Sequence, residues 1–434
     1  MEQPLLSICI PTFERAPKLA RVLEHLEEVR AELARELGSV PEVVVVDNAS
    51  EDDTPAVLEA ARGRLPGLRV LRQRENVGAE ANLVAALREA RGRYAVYLAD
   101  DDRLIPGPLA AAVRTLEGEP ELVVLQAPWL MWDGAKDEEI RPFYPLERPE
   151  RFAPGSGLAL MDFLLRRGIF PEIAVYRTEV LLKVLHRPRR AHWAHVWLLR
   201  MLAHGTVGFD PEPFYRQIMG TPVRGERRQL GVHQTVAALD SHRAGLETGL
   251  FEALAQDGSL GMAPELRRVA MDLVQRFLDL RMAVAERFSL GYMDFIGARE
   301  FLMRRLLWTE GPSLEDVRRF ENRYAMLAAV QAAGEAARTS GDCDRLLVVA
   351  RLDKGQHVIH AMADIDPELE VELCEPQAFR VERAERAVVL AESSAVREQL
   401  VAAGVVPGRV LAVDEVAACH MVLNGAAARP GAST

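Results

Sequence analysis

Three consecutive carboxylates, Asp100-Asp101-Asp102, end the apolar run YAVYLA. Adjacent carboxylates repel one another, and closing a buried strand with three of them is costly without a cation. Hard divalent cations such as Mg²⁺ or Mn²⁺ take oxygen ligands and bridge to phosphates, so a metal-diphosphate site would account for the triplet; a solvated acidic turn is the other reading. A second acid, Asp47, ends a run of four valines and precedes Asn48, Ala49 and Ser50. There it can accept hydrogen bonds from a nucleobase or a ribose, or serve as a turn acid. Glu75-Asn76-Val77-Gly78 follows a third apolar segment, and its glycine allows backbone to approach a ligand, or makes a simple strand-to-helix turn. For moving protons, His186, His192 and His195 fall within ten residues and Glu172 lies upstream of them. A near-neutral imidazole suits a general base, and His192 and His195 are the first candidates; capping, packing or a zinc pair are the competing roles. Glu172 is the competing base and Asp162 a weaker one. Arg187, Arg189 and Arg190 are either partners for a diphosphate leaving group or solvated surface.

These groups need a scaffold, and the first 130 residues supply one by alternating strand-like and helix-like segments. Residues 5–10 read as a buried strand, and residues 16–37 then place Leu19, Val22, Leu23, Leu26, Val29 and Leu33 on one helical face. Strands follow at 42–46, 68–71 and 94–98, with Thr54-Pro55 as the capped start of an intervening helix. Such repeated units imply a mostly parallel sheet covered by helices, with ligands beyond the carboxyl ends of its strands. The polar clusters at 47–53, 75–78 and 100–102 all sit at such ends.

In this order and spacing, SICIPTFER (7–15), VVVVDNASEDDT (43–54), RENVGAEANLVAALREARGRY (74–94) and VYLADDDRLIPGPL (96–109) resemble the family-2 glycosyltransferases of the GT-A fold. The resemblance covers about the first 220 residues and closes on WLLRMLAHGTVGFDPEPFYR (197–216). It implies transfer of a sugar from a nucleotide diphosphate donor, a UDP-sugar being favoured, to an unidentified acceptor with inversion, using Mn²⁺ or Mg²⁺. By position it implies that Pro11 and Thr12 line the nucleotide pocket, that Asp47 binds the nucleobase and that Asp100 faces the ribose. Asn76 and Gly78 fall in its third motif and join the nucleotide set, and Asp101 and Asp102 are the metal ligands. Ala99 stands where the family's first aspartate would be, which leaves the division of labour among the acids open. The family's usual acidic base is also absent from Arg189-Arg190-Ala191-His192-Trp193-Ala194-His195, which is why the histidines and Glu172 compete for that role.

The remaining chain sets the organisation. The expected architecture is α/β: a GT-A domain over residues 1–225, a helical region over 226–340, a small Rossmann-like α/β accessory domain over 341–425 and a disordered tail over 426–434. In the helical region GAREFLMRRLLW (297–308) sets arginines among large apolar residues, a pattern for packing on a neighbouring domain or for a membrane or partner surface. Arg351-Leu352-Asp353-Lys354-Gly355 faintly resembles part of the GT-B glycosyltransferases. The net charge of −11 argues against bulk nucleic-acid binding, and four scattered cysteines suit a reducing compartment. No leader-like or membrane-spanning run is evident, so a soluble cytoplasmic enzyme is expected, with a homo-oligomer left open. A catalytically inactive nucleotide-binding scaffold and a nucleotidyltransferase are the alternatives.

Overall fold

The computed structural model describes residues 3–186, 188, 190–219, 239–258, 264–308, 311–366 and 368–419. They divide into two compact units, Met1–Leu230 with Asp240–Phe277, and Gly231–Leu239 with Leu278–Thr434. Asp240–Phe277 thus groups with the first unit, whereas the sequence pattern implies one helical region over 226–340. The expected tail at 426–434 lies outside the described residues.

The first unit opens with β1 (Leu6–Thr12), α1 (Ala16–Leu37), β2 (Glu42–Asp47), α2 (Thr54–Arg62), β3 (Arg69–Arg72), α3 (Ala79–Arg88) and β4 (Tyr94–Tyr97). β1 and β2 are buried along almost their whole length, as strands covered on both faces must be. All six apolar residues expected on the inner face of α1 are buried. The start of α2 differs from expectation. Asp53 is the N-cap and Thr54 already the first helical residue, its amide donating to Asp52 Oδ1 at 3.0 Å. The other oxygen of Asp52 accepts from the Ala16 amide at 3.1 Å, so one carboxylate serves the first turns of two helices.

The chain continues through β5 (Arg103–Leu104), α4 (Pro106–Gly118), β6 (Leu122–Gln126), β7 (Leu130–Asp133), β8 (Glu138–Pro142) and β9 (Glu150–Phe152). Then come α5 (Gly157–Arg167), β10 (Ala174–Arg177), α6 (Thr178–Val184), α7 (Trp193–Leu202), β11 (Thr206–Phe209) and β12 (Tyr215–Met219). The main sheet runs β3-β2-β1-β4-β10-β6-β11-β9, and a smaller sheet runs β5-β12-β7-β8. β1 pairs in parallel with both β2 and β4, while β10 pairs antiparallel with β4 and β6. That reversal brings the chain entering β10 to the carboxyl end of β4. The helix α8 (Leu239–Gln256) packs on this unit through Gly245, where an added Cβ would lie 2.7 Å from the His192 carbonyl oxygen.

Three further helices follow: α9 (Pro264–Gly291), α10 (Phe295–Trp308) and α11 (Leu314–Thr339). In α10, Phe301 and Leu302 are buried, and Ala298 and Leu302 share a core cluster with Val317 and Phe320 of α11. Arg305 pairs with Asp279 and Glu286 within the second unit. That unit ends in a four-stranded parallel sheet of order β14-β13-β15-β16, from β13 (Arg345–Val349), β14 (Glu370–Cys374), β15 (Ala387–Ala391) and β16 (Val410–Ala412). Val330, Ala333 and Ala337 of α11 share a core cluster with Leu346, Val348 and Leu390. The mixed α/β architecture, a helical region and a small Rossmann-like sheet agree with the expected fold class. No helix among the described residues is long and apolar enough to cross a membrane.

Candidate functional site

Strand register assembles the acidic site. Cys9 lies opposite Tyr97 in the parallel β1/β4 pair, so the same offset carried past the strand ends brings Thr12 level with Asp100. The Thr12 hydroxyl donates to Asp100 Oδ2 at 2.7 Å. Arg15 Nη1 donates to the other Asp100 oxygen at 3.0 Å and to Asp101 Oδ2 at 2.8 Å, and Lys18 Nζ reaches the same Asp101 oxygen at 2.9 Å. Asp102 is committed elsewhere. Its Oδ2 accepts from the Tyr215 hydroxyl and its Oδ1 from the Ile218 amide, both at 2.8 Å, which ties the acidic loop to β12. The Tyr215 hydroxyl also accepts from the Ala99 amide at 3.1 Å.

Three carboxylates therefore face two cations, and the protonation equilibria reflect it. Burial raises Asp100 to about 6 against the opposing charge of Arg15, and the Asp101 charge adds to the rise. Burial and the Asp101 charge raise Asp102 to about 8. Tyr97 is pushed well above its ordinary value, first by burial and then by Asp102, Glu172, Asp100 and Asp101. A cluster of hard oxygen donors with surplus negative charge suits a divalent cation. Asp101 is the better placed to hold one, because its bonds from Arg15 and Lys18 both fall on Oδ2, whereas both oxygens of Asp100 and of Asp102 already accept a bond. Among the described residues no ready-made group of three metal-ligating side chains is present.

The nucleotide-side candidates gather at the carboxyl ends of β1, β2 and β3. Thr12 lies opposite Asp47 in the β1/β2 register, with half-buried Pro11 opposite Val46. Asp47 Oδ1 accepts from the Ser50 amide at 3.0 Å, and its Oδ2 lies 3.0 Å from Arg72 Nη1. Asp47 is nearly fully buried while Arg72 is half exposed, so the acid sits at the floor of a site that Arg72 rims. Asn48 and Asn76 join the β2 and β3 ends: Asn48 Nδ2 donates to Asn76 Oδ1 at 2.8 Å, and Asn48 Oδ1 accepts from the Val77 amide at 2.9 Å. Gly78 donates its amide to Asn76 Oδ1 at φ +87°, a backbone region that side-chain-bearing residues rarely enter. Buried Asn82 donates to the Val46 carbonyl at 2.9 Å and holds α3 on the strand end.

The candidate bases meet one another. Continuing the antiparallel β10/β4 register, in which Val175 lies opposite Val96, sets Glu172 level with Ala99, beside the acidic triplet. His192 Nε2 lies 3.3 Å from Glu172 Oε1. His192 is also the N-cap of α7, its Nδ1 accepting from the Ala194 amide at 3.4 Å. His192 is buried, whereas a third of the Glu172 side chain is exposed. His195 is 1 % exposed and packs edge-on to Phe170, 5.1 Å between ring centres, so the structure does not bring it to the surface that Glu172 shares with the acids. Arg190 is exposed, Asp162 pairs with Arg166 on α5, and Arg187 and Arg189 lie outside the described residues.

Sequence reasoning missed Arg15, Lys18, Asn82 and the anchoring role of Tyr215. One signal was present for the first two. The opening turn of α1 carries no acid, and Arg15 and Lys18 put positive charge at the helix end whose dipole disfavours it. Two cations there call for an anionic partner.

Residues 7–185 match the family described as Glycosyl transferase family 2. An uncharacterized protein of Mycobacterium tuberculosis is 35% identical over 126 residues, 29% of this chain and 36% of that protein. A GalNAc(5)-diNAcBac-PP-undecaprenol beta-1,3-glucosyltransferase of Campylobacter jejuni is 28% identical over 112 residues, 26% of this chain and 34% of its own length. The chain thus spans about a third of the length of these curated relatives. Among solved structures, S. aureus TarS 1–349 in complex with UDP matches 83% of this chain and 87% of its own at 14% identity, with a TM-score of 0.45.

Proposed function

We propose that this chain, whose residues 7–185 form a family-2 glycosyltransferase domain, transfers a sugar from a nucleoside diphosphate donor to an acceptor hydroxyl with inversion. The observation that carries the reading is the convergence, at the carboxyl ends of β1, β2 and β4, of Asp47, the Thr12–Asp100 pair and the Asp101 carboxylate. A glucosyltransferase among the relatives matches part of the chain and supports the same class.

In this reading Asp47 receives the nucleobase, with Arg72 at its rim and the Asn48–Asn76 pair shaping the adjoining loop. A UDP-sugar is the favoured donor. Thr12 and Arg15 orient Asp100 towards the ribose. Asp101 would hold a Mn²⁺ or Mg²⁺ ion, which when bound neutralises charge on the departing diphosphate. Asp102 does not ligate; through Tyr215 and Ile218 it fixes the loop that carries the other two acids. Glu172 is the base. It takes the acceptor hydroxyl proton as the acceptor oxygen bonds to the anomeric carbon, and the electron pair of the breaking carbon–oxygen bond leaves with the diphosphate.

A thermal-shift screen of nucleoside diphosphates and their sugars, with Mn²⁺, with Mg²⁺ and with chelator, tests the donor site. UDP with a divalent cation should stabilise the protein more than UDP with chelator, and Asp101→Asn should remove most of the difference. Equal stabilisation in chelator, unchanged in Asp101→Asn, would remove the metal assignment. Absence of any nucleotide response would remove the donor site itself.

A further inference from the structure

The pairing of His192 with Glu172 has a direction, and the direction decides what His192 does. A backbone amide can only donate, so the Ala194 N–H, 3.4 Å away, requires a lone pair on His192 Nδ1. The neutral ring then carries its proton on Nε2, the nitrogen that lies 3.3 Å from Glu172 Oε1. The backbone of the same residue is fixed from α8. Its amide donates to the Ser241 carbonyl at 2.8 Å, and Gly245 leaves room for the His192 carbonyl where any side chain would collide. The ring is held among Phe170 at 5.0 Å, Trp193 at 5.5 Å and His242 at 4.7 Å between centres. Among the described residues, Glu172 and His242 are titratable groups that lie against it.

We infer that His192 is a positioning residue, a neutral imidazole that donates from Nε2 to Glu172 and aims the carboxylate at the acceptor hydroxyl. The inference rests on the reading of Glu172 as the base. A group with one nitrogen capping a helix and the other already protonated has no lone pair to offer the acceptor. A carboxylate that accepts one bond on Oε1 keeps Oε2 for the acceptor proton. The strand order places that carboxylate, and α7 with α8 places its donor, so an element more than sixty residues downstream of Glu172 in the chain tunes its aim.

The test is a comparison of His192→Asn, Glu172→Gln, the double variant and Gly245→Ala in the full chain, with nucleotide binding as the folding control. Asparagine is itself a good N-cap, so His192→Asn keeps the bond from Ala194 while falling short of Glu172. Turnover in His192→Asn should drop about 10–100-fold with donor KM nearly unchanged, the scale of losing a hydrogen bond to a charged group. The acidic limb of its pH–rate profile should persist on a lower plateau, because the group that titrates there is still present. The double variant should be no slower than Glu172→Gln alone, and Gly245→Ala, which pushes on the His192 backbone, should reproduce the loss in part. Wild-type turnover in His192→Asn overturns the positioning role. Loss of the acidic limb in His192→Asn, with Glu172→Gln still deficient, also overturns it and makes His192 a proton carrier. Wild-type turnover in Glu172→Gln instead removes the base assignment on which the inference rests.

Discussion

Replacing Tyr215 by phenylalanine removes one oxygen atom and leaves the shape of the core. Tyr215 is 1 % exposed, and its hydroxyl stands between the Ala99 amide and Asp102 Oδ2 at 3.1 and 2.8 Å. Without it a buried amide loses its acceptor and a buried carboxylate loses one of two donors. Leaving such groups unsatisfied costs about 1–3 kcal/mol each, so the expected loss for the two is about 2–6 kcal/mol. Protonation of Asp102 limits the loss at low pH. The Tyr215 bond is among the influences that hold the Asp102 pKa down, and without it that pKa rises beyond about 8. The destabilisation of Tyr215→Phe should therefore be smallest near pH 6 and grow as pH rises past 8. Urea unfolding followed by tryptophan fluorescence suits the measurement, since Trp129, Trp132, Trp193 and Trp197 all belong to the first unit. A loss below about 0.5 kcal/mol at pH 9, the range of an ordinary surface substitution, would refute the anchoring role. So would a loss that does not change with pH.

The same acid gives a second expectation. A carboxyl whose folded pKa is raised binds more protons in the folded state than in the unfolded one, so its contribution to stability falls as pH rises from about 4 to about 8. Asp102→Asn should flatten the pH dependence of the urea midpoint across that window relative to wild type; parallel curves would contradict it. Asp47→Asn should weaken UDP binding about tenfold or more and reduce preference among nucleobases, as read by calorimetry; unchanged selectivity would move the nucleobase elsewhere. Gly78→Ala meets no atom within 4 Å, so its cost should come from backbone strain alone at about 1–3 kcal/mol in thermal unfolding. A neutral substitution would show that the loop changes conformation at little cost.

How much of this was legible in the sequence depends on the range of the interaction. The buried face of α1 and the runs of β1 and β2 follow from spacing within one element, and the structure places them as spacing implies. The gathering of Asp47, Asn76 and Asp100 at one sheet end follows from repeated strand–helix units. What spacing does not carry is register. Thr12 meets Asp100 across 88 residues and Tyr215 meets Asp102 across 113, and only the pairing of strands sets those distances. In the sequence His192 and Glu172 are rivals for one role, because neither α7 nor the entry to β10 reveals which way the other points. The attachment of α8 to the first unit was invisible for a similar reason, since a helical period names a buried face and not its partner.

The products released from a nucleotide sugar reveal whether the acids at the ends of β1, β2 and β4 serve glycosyl transfer. The purified full chain, incubated with UDP-sugars and Mn²⁺ and followed by chromatography of the nucleotides, should form UDP by slow hydrolysis alone and faster once a competent acceptor is supplied. Asp101→Asn and Glu172→Gln should both suppress that release, the first together with metal-dependent donor binding and the second without affecting it. Pyrophosphate in place of UDP would make the protein a nucleotidyltransferase, and tight UDP binding with no release in any acceptor mixture would make it a scaffold; either result rules out glycosyl transfer at these acids.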